Sequence, residues 1–230
     1  MEKNQNKYCR EGLAEHMLLY GVTDRTWLGD RTLYQQVEAA LRGGVTMIQL
    51  REKHMDRDAF RKEAIEIREL CARWKVPFLI NDDVALAKEI DADGVHVGQK
   101  DMEALEARKE LGDNKIIGVS ARTVEQALTA QAHGADYLGV GAVFHTGTKS
   151  DAKGISHETL QEICQAVTIP AVAIGGITGE NVMELKGTGI SGIAVVSAVF
   201  AAEDPEKAAR DLREKLSHIV AGRPAGEEIQ

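Results

Sequence analysis

Eight short apolar runs recur along the 230-residue chain, and the stretches between them carry a helical rather than an extended pattern. The runs are MLLYGVTD, TMIQLRE, PFLIND, GVHVG, KIIGVSA, YLGVGAVF, PAVAIGGI and GIAVVSA. Short runs of near-continuous apolarity fit strands buried on both faces, as the strands of a parallel sheet are. Between them, as in the segment after Asp56, residues Phe60, Ala64, Ile67 and Cys71 recur at three- and four-residue intervals and line one helical face. Asp56 and Thr123 stand where N-caps belong, and Gly44, Gly134 and Gly189 stand where a helix hands over to the next run. Eight strand units, each followed by a helix, predict an α/β chain folded as a single (β/α)8 TIM barrel. An open doubly wound sheet is the alternative, because periodicity does not register closure. No linker or low-complexity segment divides residues 1–230, so one domain is expected. Its ordered core should span about residues 17–220, with the first ~15 residues and the tail from about Gly222 frayed.

This length suffices for one large core. An aromatic content of 4% with 22 glycines suits short strands, tight turns and small packing residues. The net charge of −8, with no basic stripe to offset it, argues against nucleic acid as a partner. An anionic ligand fits if cations gather in one pocket. Cys9, Cys71 and Cys164 are scattered without metal-type spacing, which points to reduced thiols and a cytoplasmic setting. The segment before Met17 lacks the apolar centre of a signal peptide, and no run approaches the ~20 apolar residues of a membrane span. No membrane partner is therefore expected, while a homo-oligomer is left open.

In a parallel barrel the C-terminal ends of the strands share one face, and that face carries the chemistry. Polar residues collect at that end of one run after another. The second run closes on Gln49, Arg51 and Lys53, the third on Asn81 and Asp82. The fourth leads to Gln99 and Asp101, and the fifth ends at Ser120. The sixth enters FHTGTKSDA, the seventh reaches Gly175 and Gly176, and the eighth reaches Val196 and Ser197. Each position has an ordinary alternative: Asp82 as a helix cap, GGI as close packing, Lys153 and His157 as solvated or capping residues, His96 as a satisfied barrel histidine. Their joint occurrence on one expected face is what points to a site.

The residue types sort by chemistry. Asp82 and Asp101 offer hard oxygen ligands of the kind Mg2+ shares with substrate phosphates and water. Arg51, Lys53 and Lys149 supply positive charge for a polyanion beside such a metal. Thr146, Gly147 and Thr148 offer backbone N–H groups and hydroxyls for a second anion. Gly176 and the Val196–Ser197 turn match the usual phosphate position of such barrels. The expected ligands are thus a metal-bound diphosphate and a separate monophosphate.

With these motifs in this order, the sequence resembles the thiamine phosphate synthase family. The resemblance runs from about Leu18 to Leu216 and rests on QLREK, NDD, GVHVGQKD, GVSA, FHTGTKSDA, AIGGI and VVSA. It implies a transferase that joins a hydroxymethylpyrimidine diphosphate to a thiazole phosphate and releases pyrophosphate, with Mg2+ as cofactor. Carried onto matching positions, Gln49 to Lys53, Asn81, Ser120 and Lys149 would hold the pyrimidine diphosphate, with Arg51, Lys53, Ser120 and Lys149 catalytic. Asp82 and Asp101 would bind Mg2+, and Thr146 to Thr148, Gly176, Val196 and Ser197 would hold the thiazole phosphate. The chain departs from the family at His145 and Ala142, where prolines are common. The rival readings are a thiazole tautomerase-like relative, another phosphate-binding barrel enzyme and a non-catalytic phosphate-ligand-binding barrel. Retention of Asp82, Asp101 and Lys149 together disfavours the first.

Overall fold

The computed structural model describes Tyr8 and residues 12–99, 101–145 and 154–220. All eight apolar runs form strands: β1 (Leu19–Val22), β2 (Met47–Leu50), β3 (Phe78–Asn81), β4 (Gly94–Val97), β5 (Ile116–Ala121), β6 (Tyr137–Gly141), β7 (Ala171–Ile174) and β8 (Gly192–Val195). They pair in parallel, in chain order, as a closed barrel. Closure is visible at Tyr20, which lies opposite Met47 of β2 on one side and Ala194 of β8 on the other. That pairing excludes the open-sheet alternative.

The helices are α1 (Leu13–His16), α2 (Leu33–Arg42), α3 (Arg57–Trp74), α4 (Val84–Glu89), α5 (Ala104–Leu111), α6 (Val124–Ala132), α7 (His157–Ala166), α8 (Ser197–Phe200) and α9 (Pro205–Val220). Their starts follow capping chemistry. Asp56 accepts from the Ala59 amide at 3.0 Å, Thr123 accepts from Gln126, and Thr32 and Gln35 form a reciprocal capping box. Gly44, Gly134 and Gly189 adopt φ of +97°, +86° and +84°, as their positions before strands predicted. The expected helix after β7 is absent. A 3-10 turn, Val182–Leu185, stands there instead, because Gly187 and Gly189 both take positive φ just beyond it and stop helical propagation. At the other end, Leu13 and Tyr8 are buried where a frayed terminus was expected.

Two apolar layers follow from the period-two alternation of the strands. Leu19, Ile48, Leu50, Phe78, Ile80, Val95 and Ile117 face outward into the helices. Tyr20, Met47, Leu79, Ile116, Tyr137, Val172 and Ala194 face inward, and Leu13 and Met17 join them beneath β1. Each fully buried Leu, Ile or Val in these layers contributes about 1.5–3 kcal/mol from removal of apolar surface. The interior accommodates two large polar rings only because two strand positions lack side chains. A Cβ on Gly118 would stand 2.1 Å from the Tyr137 ring, and one on Gly139 would stand 3.0 Å from His96. At the N-terminal ends of β5 and β6, Asp136 is bound by Arg108 at 2.6 Å and by the Ile117 amide at 2.8 Å, which locks these strands in register. Cys71 and Cys164 are buried thiols. No helix among the described residues is long and apolar enough to cross a membrane.

Candidate active site

The C-terminal ends of β1 to β5 place their polar residues around one mouth. β1 leads into Thr23 and Asp24, and these organise the end of β2. The Thr23 amide donates to the Gln49 carbonyl at 3.0 Å, and the Thr23 hydroxyl accepts from the Arg51 amide at 3.0 Å. The Arg51 guanidinium lies 3.5 Å from Asp24 and remains partly open to solvent. Lys53 is exposed one turn further out. Between them Glu52 turns away from the mouth. Its carboxylate pairs with Arg25, which also holds Glu63, and accepts from the Lys53 and His54 amides at 2.8 and 3.2 Å. Burial alone would raise the Glu52 carboxyl, but the Arg25 guanidinium and the two amides outweigh it and hold it below the usual carboxylate range. Glu52 therefore shapes the loop that presents Arg51 and Lys53. Leu50 is buried in the outer layer, so its side chain points to the helices.

At the end of β3, Asn81 Nδ2 donates to Asp82 Oδ2 at 2.5 Å. The helix cap is Asp83, which accepts from the Leu86 amide, so Asp82 is not spent as a cap. Asp82 is exposed and takes φ of +63°, a left-handed conformation that a residue with a Cβ adopts at a cost. Its amide donates to the His96 carbonyl at 2.9 Å, which ties the end of β3 to β4. Just beyond β4, Asp101 is exposed and accepts from the Gly98 amide at 2.8 Å. The two carboxylates thus stand on neighbouring strand ends.

Among the described residues, no group of three or more His, Cys, Asp or Glu side chains could hold a metal by itself. Two carboxylates on adjoining strand ends nevertheless form a donor set that fits Mg2+, which takes its remaining oxygens from water and substrate phosphates.

Gln49 and Ser120 sit deeper. Gln49 is only 3% exposed and donates through Nε2 to the Tyr20 hydroxyl at 2.6 Å. Ser120 is half-buried; its Oγ lies 2.9 Å from His96 Nε2, and its carbonyl accepts from Gln99 at 2.7 Å. His96 is indeed a satisfied barrel histidine, since its Nδ1 lies 2.8 Å from the Tyr137 hydroxyl. Tyr20, Tyr137, Thr23 and Asp24 were not singled out by the sequence. An aromatic inside an apolar run looks like core, and only the two strand-end residues of VTD carried a signal.

On the opposite side, Gly175 and Gly176 take φ of +99° and +67°. A Cβ on Gly176 would stand 2.4 Å from the His145 carbonyl, so only glycine lets the β6 and β7 ends approach this closely. Asn181 fixes the turn by donating to the Gly176 carbonyl at 2.9 Å. Val196 is partly buried and Ser197 exposed at the end of β8, next to this turn. Thr146, Gly147, Thr148 and Lys149 lie outside the described residues. A cleft of about 380 Å³ between the β4 end and α6 shares Gln99 and Asp101 with the mouth, but it reaches neither Arg51, Asp82 nor Ser120. It is therefore a neighbour of the mouth rather than its centre.

Known proteins resemble the chain over most of its length. The thiamine monophosphate synthase family matches residues 19–199. The chain is 50% identical over 196 residues to the thiamine-phosphate synthase of Ruminiclostridium cellulolyticum, covering 85% of this chain and 93% of that one. It is 48% identical over 176 residues to that of Methanobrevibacter smithii, covering 76% and 84%. Among solved structures, thiamine phosphate pyrophosphorylase from Pyrococcus furiosus superposes with a TM-score of 0.83 at 40% identity, covering 90% of this chain and 98% of that one. The resemblance first drawn from QLREK, NDD and the other motifs is thereby shown: the chain belongs to the thiamine monophosphate synthase family.

Proposed function

We propose that this protein is a cytoplasmic transferase that joins hydroxymethylpyrimidine diphosphate to hydroxyethylthiazole phosphate, forming thiamine phosphate and releasing pyrophosphate. The observation that carries this reading is the placement of Arg51 just beyond β2 and of the strained Asp82 just beyond the adjacent β3, in a barrel matched to the family along residues 19–199. Asp82 and Asp101 are the residues that would hold Mg2+, which when bound neutralises charge on the departing pyrophosphate. Arg51, Lys53 and Lys149 bind the same anion and favour the state in which its charge is greatest. Gln49, Asn81 and Ser120 orient the pyrimidine. Thr146 to Thr148, Gly176, Val196 and Ser197 hold the thiazole phosphate so that the ring nitrogen faces the pyrimidine methylene.

The bond order follows from what these residues supply. The carbon–oxygen bond breaks with its electron pair leaving on pyrophosphate, and the positive charge on the methylene spreads into the aminopyrimidine. The thiazole nitrogen then donates its own lone pair to form the carbon–nitrogen bond, so no general base is required. Purified protein incubated with both phosphorylated substrates should form thiamine phosphate and pyrophosphate in equal amounts, and a chelator should stop it. No product with both substrates and Mg2+ present refutes the reading.

A further inference from the structure

A single chain of hydrogen bonds crosses the barrel interior and ends at the mouth. It runs from Gln49 Nε2 to the Tyr20 hydroxyl at 2.6 Å, on to the Tyr137 hydroxyl at 2.8 Å, to His96 Nδ1 at 2.8 Å, and from His96 Nε2 to Ser120 Oγ at 2.9 Å. Gln49, Tyr20, Tyr137 and His96 are 3%, 1%, 0% and 8% exposed, so water does not compete along its length. Burial drives both phenols well above their ordinary pKa, and each therefore keeps one proton to donate.

Donor counting then gives the chain a direction. A carboxamide NH2 can only donate, so Tyr20 accepts from Gln49, and its own buried proton then has the Tyr137 oxygen as the acceptor it lies against. Tyr137, having accepted, gives its proton to His96 Nδ1. A neutral imidazole that accepts at Nδ1 carries its proton on Nε2, and that proton points to Ser120 Oγ. Ser120 accepts there, which leaves its hydroxyl proton for a partner at the mouth. Turning the Gln49 amide over would reverse every bond together, because no member of the chain can both donate and accept at one contact.

We propose that this buried chain is a polarity relay: Gln49, Tyr20 and Tyr137 hold His96 as the Nε2–H tautomer, and His96 in turn makes the Ser120 hydroxyl an obligate donor toward the pyrimidine diphosphate. Tyr137 and His96 are positioning residues, acting through Ser120. The relay itself is a property of the free protein, whereas its effect on turnover rests on the function proposed above.

The test begins without substrates. Long-range proton–nitrogen NMR of the full chain labelled with 15N-histidine, at mildly alkaline pH, reads the tautomer of each imidazole, and His96→Gln identifies the His96 signals. A neutral Nε2–H ring at His96 is expected, and an Nδ1–H ring overturns the proposal. Gln49→Glu places an oxygen acceptor at the head of the chain and should invert the tautomer of His96; an unchanged tautomer there also counts against the relay. In turnover assays, Tyr137→Phe should lower kcat roughly tenfold, the equivalent of one neutral hydrogen bond, while leaving KM for the thiazole phosphate unchanged. His96→Gln, which retains an N–H donor, should keep more activity than His96→Leu. If Tyr137→Phe folds and matches the wild-type kcat, the relay does not serve catalysis, whatever the tautomer. Failure of the wild type to make thiamine phosphate would instead strike the functional reading and leave the tautomer result standing.

Discussion

Substitution at Asp82 separates what the fold requires from what the chemistry requires. Its φ of +63° lies where a residue with a Cβ sits about 1–2 kcal/mol above its preferred conformation. Aspartate and asparagine tolerate this better than alanine because their short polar side chains bond locally, as Asp82 does with Asn81 at 2.5 Å. Glycine escapes the strain but adds about 0.4–1 kcal/mol of unfolded-chain entropy. The difference predicts that Asp82→Gly gains up to about 1 kcal/mol, that Asp82→Asn stays within about 0.5 kcal/mol of wild type, and that Asp82→Ala loses about 1 kcal/mol. For a chain of this size, 1 kcal/mol moves Tm by roughly 2–4 °C. All three variants remove a carboxylate from the strand end, so all three should lose turnover by on the order of a hundredfold, about 2.7 kcal/mol of transition-state stabilisation. Thermal unfolding beside Mg2+-dependent formation of thiamine phosphate measures both effects. The reasoning fails if Asp82→Gly is less stable than Asp82→Ala, or if Asp82→Asn turns over at the wild-type rate under limiting Mg2+.

Gly118→Ala should destabilise the barrel by about 1–3 kcal/mol in urea unfolding, because its Cβ would lie 2.1 Å from a ring that has nowhere to move; a loss under about 0.5 kcal/mol refutes this. Glu52 has its carboxyl held below the usual value of 4.5, so its stabilising contribution is present above that pH and is lost as pH falls through the depressed value. The stability gap between wild type and Glu52→Gln should therefore stay flat from neutral pH down to 4.5 and close below it, and a gap that persists unchanged in strong acid contradicts the assignment. Lys149→Met should chiefly slow single-turnover chemistry, whereas Ser197→Ala should chiefly raise KM for the thiazole phosphate. Equal losses of chemical rate in both, with thiazole affinity unaltered, would contradict the division between the two anion sites.

Much of the barrel was written locally. Apolar runs such as PFLIND and the stripe of Phe60, Ala64, Ile67 and Cys71 encode strand and helix through burial at periods that neighbouring residues alone specify. Caps at Asp56 and Thr123 depend only on residues within a turn, and they formed as expected. The strand-end polar residues were legible for the same reason: once the strands are parallel, their C-terminal ends must share a face. The exception after β7 was legible in principle, since Gly187 and Gly189 already interrupt that segment.

Other features exist only after closure. Nothing in NDDVA distinguishes Asp82 from Asp83, yet pairing of β3 with β4 gives one the left-handed backbone and leaves the other as the helix cap. Local pattern likewise does not say which face of a continuously apolar strand turns inward, because both faces are buried. Tyr20, Tyr137 and His96 therefore look like ordinary core or strand positions when taken one at a time. The sequence by itself determined the strands, the helices other than the one expected after β7, and the face that carries polar residues, through short-range periodicity and capping. Tertiary structure decided which buried side chains meet, since Tyr20 and Tyr137 are 117 residues apart and touch only because eight strands close on themselves around Gly118 and Gly139.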